Sequence, residues 1–185
     1  MSETSIDAVC VFCGARDGAR PEYLRAAEQL GTALARAGVD LVFGGGGIGI
    51  MGAASRAARE HGGRVVGVIP QSLLEREGGR TEDPDMHVVE TMHERKALMH
   101  ELSDAFVVLP GGLGTYEEFF EILTWRQLGF HDKPIVVVDT EGYYGPLREI
   151  VSHGAAEGFI GPRDEELFTI VQSVDEALAV LGIDA

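Results

Sequence analysis

Apolar positions along the chain fall into two alternating kinds of segment. Short runs rich in Val, Ile and Phe, with little polar alternation, occupy Ala8–Cys13, Asp40–Phe43, Arg64–Ile69, Met86–Glu90, Ala105–Leu109, Pro134–Val138 and Leu167–Val171. Runs of this kind predict strands buried on both faces, as in a parallel sheet. Between them lie longer amphipathic segments, which predict helices at Pro21–Ala37, Gly49–His61, Met92–Leu102, Thr115–Leu128, Tyr144–Glu157 and Val174–Leu181. Strand and helix alternate throughout. That predicts an α/β fold, a Rossmann-like doubly wound and mostly parallel sheet with helices on both faces and right-handed crossovers. No linker, repeat or low-complexity tract divides the chain, so residues 1–185 are expected to form a single domain. The one long irregular stretch, Gln71–Asp85, is rich in charge and Gly, and a loop of that length inside a compact domain is often functional.

Composition then narrows the function classes. With 185 residues, 45% of them apolar, the chain supports one core and is not expected to be disordered. A formal net charge of −15 disfavours binding to the phosphate backbone of nucleic acid. No apolar run reaches the length of a membrane span. Met1–Asp7 lacks the basic and then apolar pattern of a secretory leader, so the cytoplasm is the expected compartment. Cys10 and Cys13 are expected to be buried strand residues. Side chains alternate faces along a strand, so an offset of three separates the thiols, and zinc would need more ligands. His87, His93 and His100 have no acidic partner motif, and no metal site is expected.

Two glycine-rich strand-to-helix turns carry the candidate chemistry, because ligands of such sheets bind beyond the carboxyl ends of the strands. The first is Phe43-Gly44-Gly45-Gly46-Gly47-Ile48-Gly49-Ile50-Met51-Gly52 and the second is Leu109-Pro110-Gly111-Gly112-Leu113-Gly114-Thr115. Glycine lets the backbone approach a ligand, and the helix that follows offers free N–H groups to a phosphate. The first turn is not a dinucleotide fingerprint. It follows the second strand, and the next strand ends in Ile69-Pro70-Gln71 without an acid. It is not a Walker loop either, since no Lys-Ser or Lys-Thr follows.

Acids and cations lie close to the second turn in sequence. Thr115-Tyr116-Glu117-Glu118 reads in two ways: as a capping box with Thr115 as N-cap, or as a carboxylate, Glu118, one turn inside a helix whose start holds a phosphate. Arg95-Lys96 likewise suits an anionic ligand, or a solvated helix face paired with Glu90, Glu94 or Glu101. Lysine occurs only at positions 96 and 133, which makes the first of these pairs conspicuous. Phe119, Phe120, Ile122, Leu123, Trp125 and Leu128 make the Thr115–Leu128 segment apolar over most of its circumference. Either the sheet and another helix cover it or a second subunit does, and a two-fold homodimer is expected.

Pro110-Gly111-Gly112-Leu113-Gly114-Thr115-Tyr116-Glu117-Glu118 resembles the P-G-G-x-G-T-x-x-E motif of the Lonely-Guy (LOG) family, and Met92-His93-Glu94-Arg95-Lys96-Ala97 resembles its M-H-x-R-K-A segment. The glycine run Gly44–Gly52, Cys13-Gly14, Thr124-Trp125, His131-Asp132-Lys133-Pro134 and Gly142-Tyr143-Tyr144 are similar as well, so the likeness extends from about Val9 to Phe159. It implies a phosphoribohydrolase. Such an enzyme hydrolyses the N-glycosidic bond of adenosine 5′-monophosphate or its N6-modified forms to free base (adenine or a cytokinin) and ribose 5-phosphate, with no metal or redox cofactor. By motif position the catalytic pair is Arg95 and Glu118. Substrate-binding positions are Lys96, Gly111, Gly112, Gly114, Thr115, Glu117 and Thr124, with Gly45 and Gly46 from the first turn and Glu77 from the segment after Arg76. Two departures stand out: Glu75 replaces a proline before Arg76, and Ala15 replaces a serine. The family is often labelled lysine decarboxylase, but a pyridoxal enzyme needs a Schiff-base lysine and neither Lys96 nor Lys133 sits in an evident cofactor motif. The alternative is a nucleotide-binding or molybdenum-cofactor carrier protein of similar fold, which would bind without turnover.

Overall fold

The computed structural model describes residues 5–74, 85–161 and 163–184. Its seven strands are β1 (Ala8–Phe12), β2 (Asp40–Phe43), β3 (Val65–Pro70), β4 (Met86–Val89), β5 (Ala105–Val108), β6 (Ile135–Val138) and β7 (Thr169–Val171). They form one sheet in the order β4-β3-β2-β1-β5-β6-β7, with every pairing parallel. The helices are α1 (Pro21–Ala37), α2 (Gly49–Glu60), α3 (Met92–Glu101), α4 (Leu113–Gln127), α5 (Gly145–Ala156) and α6 (Val174–Leu181). Each predicted strand and helix is present, with ends displaced by two residues or fewer.

The continuous apolar strands supply two cores, one on each face of the sheet. Val9, Val11, Leu41 and Phe43 point to the face covered by α1, α2 and α6, where Leu30, Leu34, Ile50, Val174 and Leu178 are buried. Cys10, Phe12, Val42 and Phe106 point to the face covered by α3, α4 and α5, where Met99, Phe119, Ile122, Leu147 and Val151 are buried. The free thiols of Cys10 and Cys13 are therefore on opposite faces, as the strand spacing predicts. Strand order runs one way from β1 to β4 and the other way from β5 to β7. The reversal leaves a crevice beyond the carboxyl ends of β1 and β5, the usual ligand position of such sheets.

The helix starts decide between the two readings of Thr115-Tyr116-Glu117-Glu118. α4 begins at Leu113 with Gly112 as its N-cap, so Thr115 is an interior residue, and among the described residues no side chain caps this helix. The capping box proposed for Thr115 and Glu118 is absent. A capping box does occur, at α3: the Glu94 N–H donates to Thr91 Oγ1 (3.1 Å) and the Thr91 N–H to Glu94 Oε2 (3.2 Å). Part of the apolar circumference of α4 is covered by the chain's own core at Phe119 and Ile122, while Phe120 and Leu128 stay exposed.

Candidate active site

Three turns meet at the crevice and hold one another in place. The Gly14 N–H, just after β1, donates to Pro110 O (3.1 Å), and the Met51 N–H at the start of α2 donates to Gly14 O (3.0 Å). Gly49 has φ +64°, and a Cβ there would overlap the Ala15 backbone, so the β2–α2 turn needs glycine at this point. Together these turns wall a cavity of about 610 Å³.

The β5–α4 turn keeps its carbonyls occupied and leaves the helix start without a side-chain cap. Its three successive carbonyls are taken up by donors from elsewhere: Leu109 O by the Tyr144 hydroxyl (2.7 Å), Pro110 O by Gly14 N–H and Gly111 O by the Tyr143 hydroxyl. Its amides, in contrast, begin a helix with no side-chain cap and no acid in the first turn. Acceptors are occupied and donors are on offer, with the positive end of the helix dipole behind them. α2, whose Ile50 and Met51 also line the cavity, starts the same way, with no side-chain cap and no acid.

Two charged side chains stand in the wall. Arg95 is 4% exposed; its Nε donates to Val68 O (3.1 Å) and its Nη2 to Gly44 O (2.7 Å). A Cβ on Gly44 would overlap that guanidinium, so the first glycine turn also makes room for Arg95. Glu118 is 8% exposed, on the inner face of α4. Both charges are felt by the Cys13 thiol beside them. Burial raises its pKa, the Glu118 charge raises it further and Arg95 opposes, leaving it far too weak an acid to act as a nucleophile.

An aromatic wall completes the cavity. Tyr143 packs edge-on against Tyr23 (5.7 Å between centroids), and Tyr116 lies face to face with Tyr143 (6.5 Å). Burial, and then its contact with Tyr116, push the Tyr143 hydroxyl up to about 12, so it stays a hydrogen-bond donor at neutral pH. All four tyrosines of the chain lie in this cluster.

The structure brings Arg95, Gly111, Gly112, Gly114, Thr115 and Glu118 to one cavity. Lys96 and Glu117 are not among its lining residues. They bond to each other, and Lys96 also pairs with Glu121 (2.7 Å), so Lys96 bridges to α4 instead of pairing along its own helix. Burial works against the Lys96 ammonium, but the hydrogen bonds to Glu117 and Glu121 outweigh it and hold its pKa up. Thr124 is exposed, and its hydroxyl donates to Phe120 O (2.7 Å) within α4. Gly45 and Gly46 line a separate cavity of about 120 Å³ with Arg56 and Arg59. Glu77 lies outside the described residues. Among the described residues no group of three or more His, Cys, Asp or Glu could hold a metal ion. Sequence reasoning missed Arg16, Tyr23, Ile50 and Met51 as lining residues; Tyr143 carried a motif signal but no role.

A family model described as possible lysine decarboxylase matches residues 51–181. The cytokinin riboside 5′-monophosphate phosphoribohydrolase of Rhodococcoides fascians is 47% identical over 174 residues, covering 94% of this chain and 88% of that protein. A protein of the same description from Arabidopsis thaliana is 41% identical over 181 residues, covering 98% and 84%. Among solved structures, the molybdenum cofactor carrier protein of Chlamydomonas reinhardtii aligns with a TM-score of 0.68 and 24% identity over 95% of each chain. The molybdenum cofactor binding protein of Rippkaea orientalis aligns with a TM-score of 0.70 and 21% identity over 98% of each. At those identities the likeness is one of fold.

Proposed function

We propose a function from one premise: this chain belongs to the LOG family of cytokinin riboside 5′-monophosphate phosphoribohydrolases, the family whose model carries the description possible lysine decarboxylase. It is a hydrolase of N-glycosyl bonds, cleaving adenosine 5′-monophosphates to free base and ribose 5-phosphate. Decarboxylation has no support in the side chains. Lys96 is held by two carboxylates, Lys133 Nζ donates to His100 O (2.6 Å), and neither lines the cavity where a Schiff base would form. The carrier reading rests on fold likeness alone.

The observation that carries the site assignment is a buried carboxylate, Glu118, sharing one cavity with the uncapped start of its own helix. The 5′-phosphate binds the amides of Gly112–Thr115, which sets the ribose beside the next turn of α4, where Glu118 is. Breaking the bond to the base builds positive charge at C1′. Glu118 stabilises that charge and orients the attacking water. The departing purine gathers negative charge, and Arg95 favours its release. Phosphate binding remote from the reacting bond supplies the alignment.

Several finer assignments belong to the same proposal. Lys96 and Glu117 act by fixing α3 against α4, at one remove from the substrate. The exposed Leu113, Phe120, Leu128 and Phe130 support a homodimer formed around α4. No described helix is long and apolar enough to cross a membrane, and a nucleotide substrate and free cysteines fit the cytoplasm. Where the substrate carries an N6-prenyl group the product is a cytokinin, which would place the enzyme in cytokinin biosynthesis. The test is incubation of the purified chain with AMP and with isopentenyladenosine monophosphate, followed by assay of free base and ribose 5-phosphate. Release of neither base would overturn the hydrolytic reading, and the ratio of the two rates identifies the preferred substrate.

A further inference from the structure

The cavity has one cation, Arg16, with no hydrogen bond or ion pair among the described residues. We propose that Arg16 is a further substrate-binding residue, which grips the 5′-phosphate at the start of α4 and makes the site select phosphorylated over unphosphorylated nucleosides. The inference rests on the hydrolytic reading above and adds to it the residue that sets specificity for the phosphate.

Arg16 lies two residues beyond Gly14 and lines the same cavity as Gly111–Thr115. Its backbone position is fixed. Gly14 is tied to Pro110 and Met51, and Gly49 packs so closely on Ala15 and Arg16 that a Cβ would overlap the Arg16 amide. The side chain is exposed, and among the described residues it makes no hydrogen bond or ion pair. The other cations nearby are committed: Arg95 to the carbonyls of Val68 and Gly44, and Lys96 to Glu117 and Glu121. Ala15 brings no polar group.

Charge makes the need concrete. A phosphate monoester carries nearly two negative charges near neutral pH. Each uncapped helix start offers the equivalent of about half a positive charge. Glu118 adds a negative charge to the same cavity, and the chain as a whole carries a formal −15, a field that repels anions. A guanidinium is the group whose planar fork matches phosphate oxygens. Placed over the α4 start, Arg16 supplies the missing charge to the phosphate and nothing to the base.

The test compares wild type with Arg16→Ala, Arg16→Lys and Arg20→Ala, using ribose 5-phosphate binding by calorimetry, KM and kcat for nucleotide hydrolysis, and adenosine as a competing ligand without phosphate. Arg20 is a control for the general field, since it pairs with Glu141 (3.4 Å), is exposed, and lies outside the cavity. Arg16→Ala should raise the Kd for ribose 5-phosphate and the KM for nucleotide at least about tenfold, while the adenosine inhibition constant moves less than about twofold. Arg16→Lys should recover part of the loss, and Arg20→Ala should reproduce none of it. An unchanged Kd for ribose 5-phosphate overturns the proposal. Equal weakening of adenosine and ribose 5-phosphate also overturns it, since that pattern marks a loop that has lost its shape. If wild type releases no base from either nucleotide, the hydrolytic reading fails, and the ribose 5-phosphate titration still decides whether Arg16 holds phosphate.

Discussion

α3 and α4 both begin at the carboxyl edge of the sheet, and their starts are built on opposite plans. At α3 the protein satisfies itself: Thr91 and Glu94 cap each other's amides, and Glu94 also accepts from the Glu90 N–H (2.9 Å). At α4 the cap is a glycine without a side chain, the preceding carbonyls are bonded elsewhere, and the free amides open onto a cavity. A helix start that satisfies itself and one left open to a ligand thus differ in whether the chain supplies the acceptor.

The largest expected effect removes the chemistry proposed for Glu118. Glu118→Gln should lower kcat by about 10³-fold with an unchanged circular dichroism spectrum. Near-normal turnover would return Glu118 to a structural role. Next comes giving α4 the plan of α3. A Cβ at Gly112 meets nothing within 4 Å, and its φ of −97° suits any residue, so Gly112→Asp fits and places a carboxylate over the amides. KM for nucleotide should rise by about a hundredfold while the melting temperature holds or increases. A fall in stability with KM unchanged would break the comparison. Freeing one bonded carbonyl is milder: Tyr143→Phe releases Gly111 O and should raise KM about fivefold.

Two smaller effects sharpen the other side. Thr91→Ala removes the cap of α3 and should cost about 1 kcal/mol in denaturant unfolding, with KM for nucleotide unmoved. The far end of α3 carries His100, whose pKa burial, and then Lys133 and His131, push down to about 4. The unfolded chain therefore binds this proton first as pH falls. His100 contributes its full stability above pH 6.5, and that contribution is lost progressively as pH falls towards about 4. Unfolding midpoints between pH 7 and pH 5 should fall less steeply in His100→Gln than in wild type, and equal slopes would refute the assignment.

The sheet was legible because a parallel strand covered on both faces writes itself as an unbroken apolar run, as Ala105–Val108 and Ile135–Val138 do. The candidate site was legible only as a neighbourhood. Arg95 and Lys96 are adjacent on α3, and Glu117 and Glu118 on α4. Successive helical residues point about 100° apart. Arg95 and Glu118 reach the cavity, while Lys96 and Glu117 turn away and find each other. A motif names both members of each pair without saying which faces in. Tyr143 and Tyr144 bond to a turn more than thirty residues earlier, and no local pattern carries that information.

A phosphate held by main-chain amides is held by groups that do not titrate in any physiological range and that no side-chain replacement deletes. In the proposed binding mode the same amides grip the sugar phosphate after the base has departed, so the two products should leave in a fixed order, base first. Accumulated ribose 5-phosphate should then slow the enzyme by occupying the place of the next nucleotide.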